Sequence, residues 1–576
     1  MIKVVFLLFI TEIFTLLVGL LFFHFIEKQF PKFHFSLNNY SIPLISIIGL
    51  AFFGFFAQFT NLFLPINVYV IFGFLFLIGL MSFLHRQWIV NVFSSFQWQS
   101  NKKNLILYGL LFLVFFFIIL ESAIDMNAIS DDGLYHIQSS MWISTYPTVP
   151  GLAFIHDRFG FNSIWEPLST LIGFKFLNSN HEFYFIATPL LAINMIAYLL
   201  VELQRKTSVF YKFSCTLLLT AFLYLAALYD LGTIKNDLPS TFLVWISFLF
   251  FIRIIETNHY STFEPVVWNI MLVIISLFAV LTKVSVLFIF ILPLFSILYT
   301  RNFSKIFQKV SLISLFLAPM LTWVIRSVLL SGYFLYPPFH PQFGLPLPWL
   351  LPYNRAKNAG EWIISWARYP RMSKDKVLAM KFWEWFPHWL TIRLKPDLLF
   401  IGLGVIAILF LFVALFLTIR KKRKTVQELL PYSGLLVWSM ISLAYWFAMA
   451  PVPRFYYGML FPTIATIAFS FKLILPEQLW KIFSTLIKKF HVAAIIIVLM
   501  LGFIVSDNYR DGLSGHLVES ACYPQHSTEK IIINGIEFSI SDPDTQCWGE
   551  KLPCTPYPPF HIKNFGTDYR PVFYEE

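Results

Sequence analysis

Charge is what this sequence has least of. Only 13% of its 576 residues are Asp, Glu, Lys or Arg, well below the share in soluble domains and wrong for a solvated, disordered chain. Cysteine is scarce too: four residues are too few for a disulfide scaffold to stand in for a core. A glycine-rich phosphate loop is missing, because Gly402 and Gly404 fall inside an apolar run without the strand–turn–helix setting that a nucleotide loop requires. An A-x-A-like cleavage site is also missing after the first apolar run, which therefore reads as a span and not as a removable leader.

The chain is filled with apolar residues instead, 58% of the total, including 68 Phe. A bilayer core takes about 20 apolar residues as helix. Runs of that kind recur at 4–26, 43–65, 67–84, 105–122, 184–202, 211–229, 238–255, 266–282, 284–300, 310–330, 398–419, 432–450, 456–475 and 492–506. The reading is an all-α polytopic membrane protein of about fourteen transmembrane helices. Its segments are an N-terminal transmembrane extension (1–99), a transmembrane core (100–330) with an acidic loop at 123–183, a Trp/Pro-rich loop (331–397), C-terminal transmembrane helices (398–506) and a tail domain (507–576).

The net charge of +11 does not mark a nucleic-acid binder, because the basic residues sit in short loops at alternating span ends, as the positive-inside rule describes. Arg86, Lys102 and Lys103, then Arg205 and Lys206, Arg301, Lys305 and Lys309, the run IRKKRKT at 419–425, and Lys481, Lys488 and Lys489 agree with one threading through a cytoplasmic membrane. That threading puts the loops 123–183 and 331–397 and the tail on the extracytoplasmic side. Cysteine usage fits: Cys215 lies in a span, while Cys522, Cys547 and Cys554 lie in the tail. Within CWGEKLPC the Gly and Pro favour a reversal that pairs Cys547 with Cys554, whereas a zinc site lacks C-x-x-C spacing. In KIIINGIEFSI, Asn534-Gly535 between alternating apolar residues signals a hairpin, so a small β-containing, disulfide-closed cap is expected.

The stretch ISDDGLYHIQSSMWI (129–143) directly follows one of the longest apolar runs. A helix starting at Asp131 or Asp132 would place Leu134, Ile137 and Met141 on one stripe and Asp132, His136 and Ser140 on another, an amphipathic helix lying on the membrane surface. Ser130 or Asp131 would then serve at least as its N-cap. A second outer loop carries Lys235, Asn236 and Asp237.

Basic residues, a span, an acidic outer loop with surface helices, two spans and a second acidic outer loop make an order that resembles the GT-C superfamily of membrane glycosyltransferases. That superfamily includes protein mannosyltransferases and the lipid A aminoarabinose transferase. The resemblance covers roughly residues 100–330 and implies a GT-C-like core with an essential acid at Asp131 or Asp132 and a second at Asp237. Two departures are visible: three spans precede the matching core, and the large soluble C-terminal domain of the superfamily is reduced to a short tail. The segment HDRFGFNSIWEP (156–167) and the ending QCWGEKLPCTPY are also similar to a bacterial group of uncharacterised polytopic membrane proteins.

Sugar transfer from a polyprenyl phosphate needs a carboxylate to take the acceptor's proton and cations to hold the phosphate. Asp131 or Asp132 is the candidate base, with His136 to orient or replace it. Lys283, Arg326 and Arg454, each near an outer span end, are candidates for the phosphate, against snorkelling or interfacial anchoring. His156 and Arg158 are further binding candidates, Arg158 being equally able to pair with Asp157 and order the loop. A divalent cation, Mg or Mn, could sit between the adjacent aspartates. The loop tryptophans Trp349, Trp362, Trp366, Trp383, Trp385 and Trp389 read as an interfacial belt or as a lid over a sugar or isoprenoid.

The expected partners are therefore membrane lipids and a lipid-linked sugar donor, with no nucleic acid. A transporter or flippase would carry ionisable groups at mid-membrane depth and internal symmetry. Glu12 is the clearest such group, and no repeat relates the two halves. An O-antigen-polymerase-like protein or a membrane scaffold are the remaining alternatives.

Overall fold

A computed structural model of the chain describes residues 2–96, 102–124, 131–177, 185–205, 207–257, 263–301, 306, 309–422, 424–482, 484–486, 528–541, 546–557, 562–564 and 566–575. The expected span at 492–506, Cys522 and Lys206, Lys305, Lys488 and Lys489 lie outside the described residues.

Among the described residues, eleven helices are long and apolar enough to cross a membrane. They are α1 (Ile2–Gln29), α2 (Ile42–Asn61), α5 (Lys102–Ile124), α8 (Ala187–Gln204), α9 (Val209–Ala226), α10 (Asp237–Thr257), α11 (Glu264–Thr282), α13 (Val310–Ser331), α17 (Lys395–Arg420), α18 (Val426–Met449) and α19 (Tyr457–Ile474). The chain is thus a multi-pass membrane protein; eleven of the fourteen apolar runs correspond to these helices, and the run at 492–506 lies outside the described residues. The other two runs are altered by local geometry. The run at 67–84 forms α3 (Val68–Leu84), which breaks at His85 and turns by 70° into α4 (Arg86–Ser94). The run at 284–300 begins as a 3-10 coil (Val284–Phe290) and ends as α12 (Ile291–Thr300). A 3-10 coil rises about 2 Å per residue against about 1.5 Å for an α-helix, so this short segment reaches further than its residue count implies.

Helices α10 and α11 are buried almost throughout, whereas α5, α13, α17 and α18 keep broad apolar faces outward. That is the pattern of a central pair walled by lipid-facing helices. Polar groups inside the bundle are tied down: Glu12 accepts from Ser46 Oγ and Asn194 Nδ2, both at 2.6 Å, joining α1, α2 and α8. Asp397 accepts from Tyr224 and Tyr457 hydroxyls at 2.7 and 2.6 Å, joining α9, α17 and α19.

The remaining elements gather at one end. α6 (Ile137–Thr145) and α7 (Trp165–Ile172) follow α5, and α14 (Tyr353–Arg368), α15 (Lys374–Ala379) and α16 (Phe382–Ile392) fill the loop between α13 and α17. The tail supplies β1 (Glu529–Ile533), β2 (Ile536–Ile540), β3 (Cys554–Thr555), β4 (Ile562–Asn564) and β5 (Phe573–Glu575). β1 and β2 are an antiparallel hairpin whose turn, Asn534-Gly535, has φ of 48° and 82°, the left-handed pair that a type I′ turn needs. β3 adds parallel to β2, β4 pairs with β5, and Cys547 and Cys554 are joined in a disulfide.

Candidate functional site

The acidic stretch departs from the expected surface helix. Residues Asp132–His136 form a π turn in which the Ile137 amide donates to the Asp132 carbonyl, and such one-residue bulges recur at functional sites. Beyond the turn, Ser139 and Ser140 both reach α7: Ser139 Oγ donates to Glu166 Oε2 at 2.8 Å, and Ser140 shares a hydrogen bond with Thr170 at 2.9 Å. Far from lying on the surface, Asp132 and His136 are buried. The lid over them is the tail. The amides of Cys547 and Trp548 donate to the Gly133 carbonyl at 3.1 and 2.9 Å, and Gln138 Nε2 donates back to the Trp548 and Glu550 carbonyls at 3.0 and 2.8 Å.

The two adjacent aspartates are divided by this geometry. Asp131 lines a cavity of about 1450 Å³. Asp132 sits behind it, with Oδ2 3.8 Å from Lys235 Nζ and Oδ1 without a partner among the described residues. Burial pushes the Asp132 carboxyl above its ordinary range, against the pull of Lys235 and His136. Lys235, Asn236 and Asp237 lead from the loop after α9 into α10, and all three line the cavity.

Asp237 anchors the second charged centre. Lys283 interrupts the helical run after α11 with extended backbone (φ −152°, ψ 114°), which turns its side chain into a close hydrogen-bonded ion pair with Asp237 Oδ1. Arg454, from the 3-10 turn Pro453–Phe455 before α19, brings Nε to 3.5 Å from Asp237 Oδ2. Lys283 Nζ lies 3.8 Å from the centroid of Phe455, and the Arg454 guanidinium 5.3 Å from that of Trp366. One carboxylate is shared by two cations, leaving net positive charge facing the cavity.

Arg326 is placed differently from the expectation of a phosphate contact: it is buried behind the wall, donating to Asn162 Oδ1 at 2.6 Å and lying 3.8 Å from Glu166 Oε2. Glu166 also approaches His136 Nδ1 at 3.6 Å. Sequence reasoning passed over this glutamate, although a lone acid inside the apolar run WEPLSTLI is the kind of signal that marks a site. Arg158 does not pair with Asp157 either. Asp157 is taken by Arg355 Nε at 2.7 Å, while Arg158 lines the cavity over the Phe161 ring. His156 is buried, its Nδ1 accepting from the Arg158 amide at 3.1 Å. Burial and the neighbouring Arg158 and Arg355 lower its pKa to about 3.

Trp349 Nε1 donates to the Val328 carbonyl at 3.0 Å, and the other tryptophans of 331–397 separate into two groups. Trp385 and Trp389 on α16 pack against Phe447 of α18, and Trp383 is exposed. Trp362 and Trp366 on α14 line the cavity with Ile363, Ile364 and, from α18, Tyr445 and Met449. The charged floor is thereby flanked by an apolar wall.

The donor set does not suit a chelated divalent cation. Among the described residues no three carboxylate, imidazole or thiol groups converge, and Asp132 and Asp237 already face ammonium and guanidinium groups.

Residues 1–461 match the model of a protein family described as a domain of unknown function (DUF8201). The chain belongs to this family. The match covers the DUF8201 chain from its first span through Arg454 and Phe455, and so includes both charged centres; the disulfide loop and Tyr557 lie beyond it. No curated protein and no solved structure matches the chain.

Proposed function

We propose that this protein is a membrane glycosyltransferase of GT-C character, which transfers a sugar from a polyprenyl-phosphate-linked donor to an acceptor at the outer leaflet of a bacterial-type cytoplasmic membrane. The observation that carries this reading is the meeting, in one cavity, of Asp131, Lys235, Asp237, Lys283 and Arg454 from four separate stretches of chain, beside an apolar wall. A lipid phosphate has that same division, with charge at the head and hydrocarbon behind it. Lys283 and Arg454, oriented by Asp237, hold the phosphate as charge grows on the leaving oxygen, the arginine being able to take two oxygens at once. Asp131, which lines the cavity, accepts the proton from the acceptor hydroxyl, and the paired Asp132 and Lys235 keep the turn in place beneath it. The charged groups lie at one end of the bundle and Glu12 is satisfied by Ser46 and Asn194, which favours surface chemistry over conduction.

The test uses cells lacking the native protein, complemented at matched membrane abundance with wild type, Asp131→Asn, Asp132→Asn or Asp237→Asn. Loss of a sugar from a surface glycan with accumulation of its lipid-linked precursor is expected for Asp131→Asn and Asp237→Asn. Full rescue by all three variants would overturn the assignment.

A further inference from the structure

The wall of the cavity under the tail carries chemistry that the donor side does not use. Arg355 is paired with Asp157, Lys357 shares Glu361 with Lys374, and His156 is uncharged at neutral pH. Arg158 is therefore left as a half-buried cation with no carboxylate partner among the described residues, lying 5.6 Å from the Phe161 centroid. Phe161 in turn meets Tyr336 edge-on, with centroids 5.4 Å apart. Tyr336 is only 6% exposed, lines the cavity, and its hydroxyl has no hydrogen-bond partner among the described residues. A buried hydroxyl is costly when unpaired, and a half-buried guanidinium without a carboxylate is open to an anion; an anionic, hydrogen-bonding ligand would satisfy the two together. Beside them, Tyr135 stacks nearly parallel to His156 with centroids 6.4 Å apart, and His156 lies 5.5 Å from Tyr557 of the tail. Flat π faces carry negative potential and suit the C–H face of a pyranose ring.

We propose that this wall is the acceptor subsite, and that it takes a sugar bearing one anionic substituent, carboxylate or phosphate, which pairs with Arg158 and Tyr336 while the ring lies against Tyr135, His156 and Tyr557. The assignment of this wall to the acceptor rests on the transferase reading above; the binding itself does not require catalysis, so the two can fail separately. Saturation-transfer NMR on the full chain in lipid nanodiscs, with methyl glucuronide, glucose 6-phosphate and methyl glucoside as probes, decides it. At least one of the two anionic probes should give several-fold more transfer than the neutral glucoside, and which of them does so distinguishes carboxylate from phosphate. Arg158→Gln should abolish that preference, and Tyr336→Phe, which keeps the ring, should weaken it. The double variant Lys283→Ala/Arg454→Ala, which removes the other anion site, should retain it. The proposal fails if no probe binds wild type, if the neutral probe transfers as strongly as both charged ones, if Arg158→Gln leaves the preference intact in a variant of wild-type thermal stability, or if the double variant loses it. Loss of glycan rescue by Asp131→Asn with this binding retained leaves both readings standing, whereas full rescue with binding retained sinks only the transferase.

Discussion

Gly133 shows how much can depend on a missing methyl group. A Cβ built there would come within 2.3 Å of the Trp548 ring and 2.5 Å of Gln546 Oε1, so Gly133→Ala must push the tail off the acidic turn. Overpacking of this kind costs about 1–3 kcal/mol, and thermal unfolding of the purified protein should show a lower Tm; a variant as stable as wild type would mean the tail is not seated there. His156 gives a pH signature at the same scale. Its folded pKa of about 3 lies below the ordinary 6.5, so below pH 6.5 the unfolded chain takes up a proton that the folded one refuses. Stability from this residue is present above pH 6.5 and is lost as pH falls towards 3, by roughly 1.4 kcal/mol per pH unit at the steepest. His156→Asn, which keeps an acceptor for the Arg158 amide, should flatten that part of the curve. Parallel acid losses in the two proteins would contradict the assignment.

At the scale of elements, the acidic turn and the tail behave as one unit: Cys547 and Trp548 hold Gly133, and Gln138 holds Trp548 and Glu550. Truncating a buried Trp to Ala costs about 3–5 kcal/mol, and a disulfide that closes so short a loop contributes about 2 kcal/mol in the chain-entropy view. Trp548→Ala, and to a lesser degree Cys547→Ser/Cys554→Ser, should therefore speed amide exchange at 133–137 while leaving α10 and α11 protected; unchanged exchange at 133–137 would show that the turn stands without the tail. This coupling explains what could be read from the sequence and what could not. The spans were legible because length and hydropathy are local, and so was the hairpin at Asn534-Gly535, because left-handed turn chemistry is local. The burial of Asp132 was not, since the residues that cover it lie more than 400 positions away, and the π turn that precedes Ser139 and Ser140 has no periodicity of its own. Lys283 was legible as a cation between apolar runs; that it and Arg454 share Asp237 depends on α10, α11 and α19 converging.

For the whole molecule, the two ends of the bundle differ in how their charges are balanced. The cavity end holds the N-termini of α10, α17 and α19 and the C-termini of α11, α13 and α18, and most of its cations face carboxylates. The opposite end is reached by α13 at Lys309, which donates to the Gln29 carbonyl at the end of α1, and by the last turns of α17 and α19 with Arg420 and Lys472. Arg301, Lys421, Lys422 and Lys424 lie in short loops at this same end, and the orientation proposed above, following the positive-inside rule, puts such an end in the cytoplasm. In that proposed orientation the cavity and the cap face outward, where a disulfide persists and where an outer-leaflet substrate is within reach. Single cysteines at exposed positions test this orientation directly. In intact cells a membrane-impermeant maleimide should label His340→Cys, beside the cavity, but should reach Lys422→Cys, on the basic end, only after permeabilisation. The reverse pattern would place the charged cavity in the cytoplasm, where a donor activated by a nucleotide becomes accessible, and the outer-leaflet chemistry would have to be abandoned.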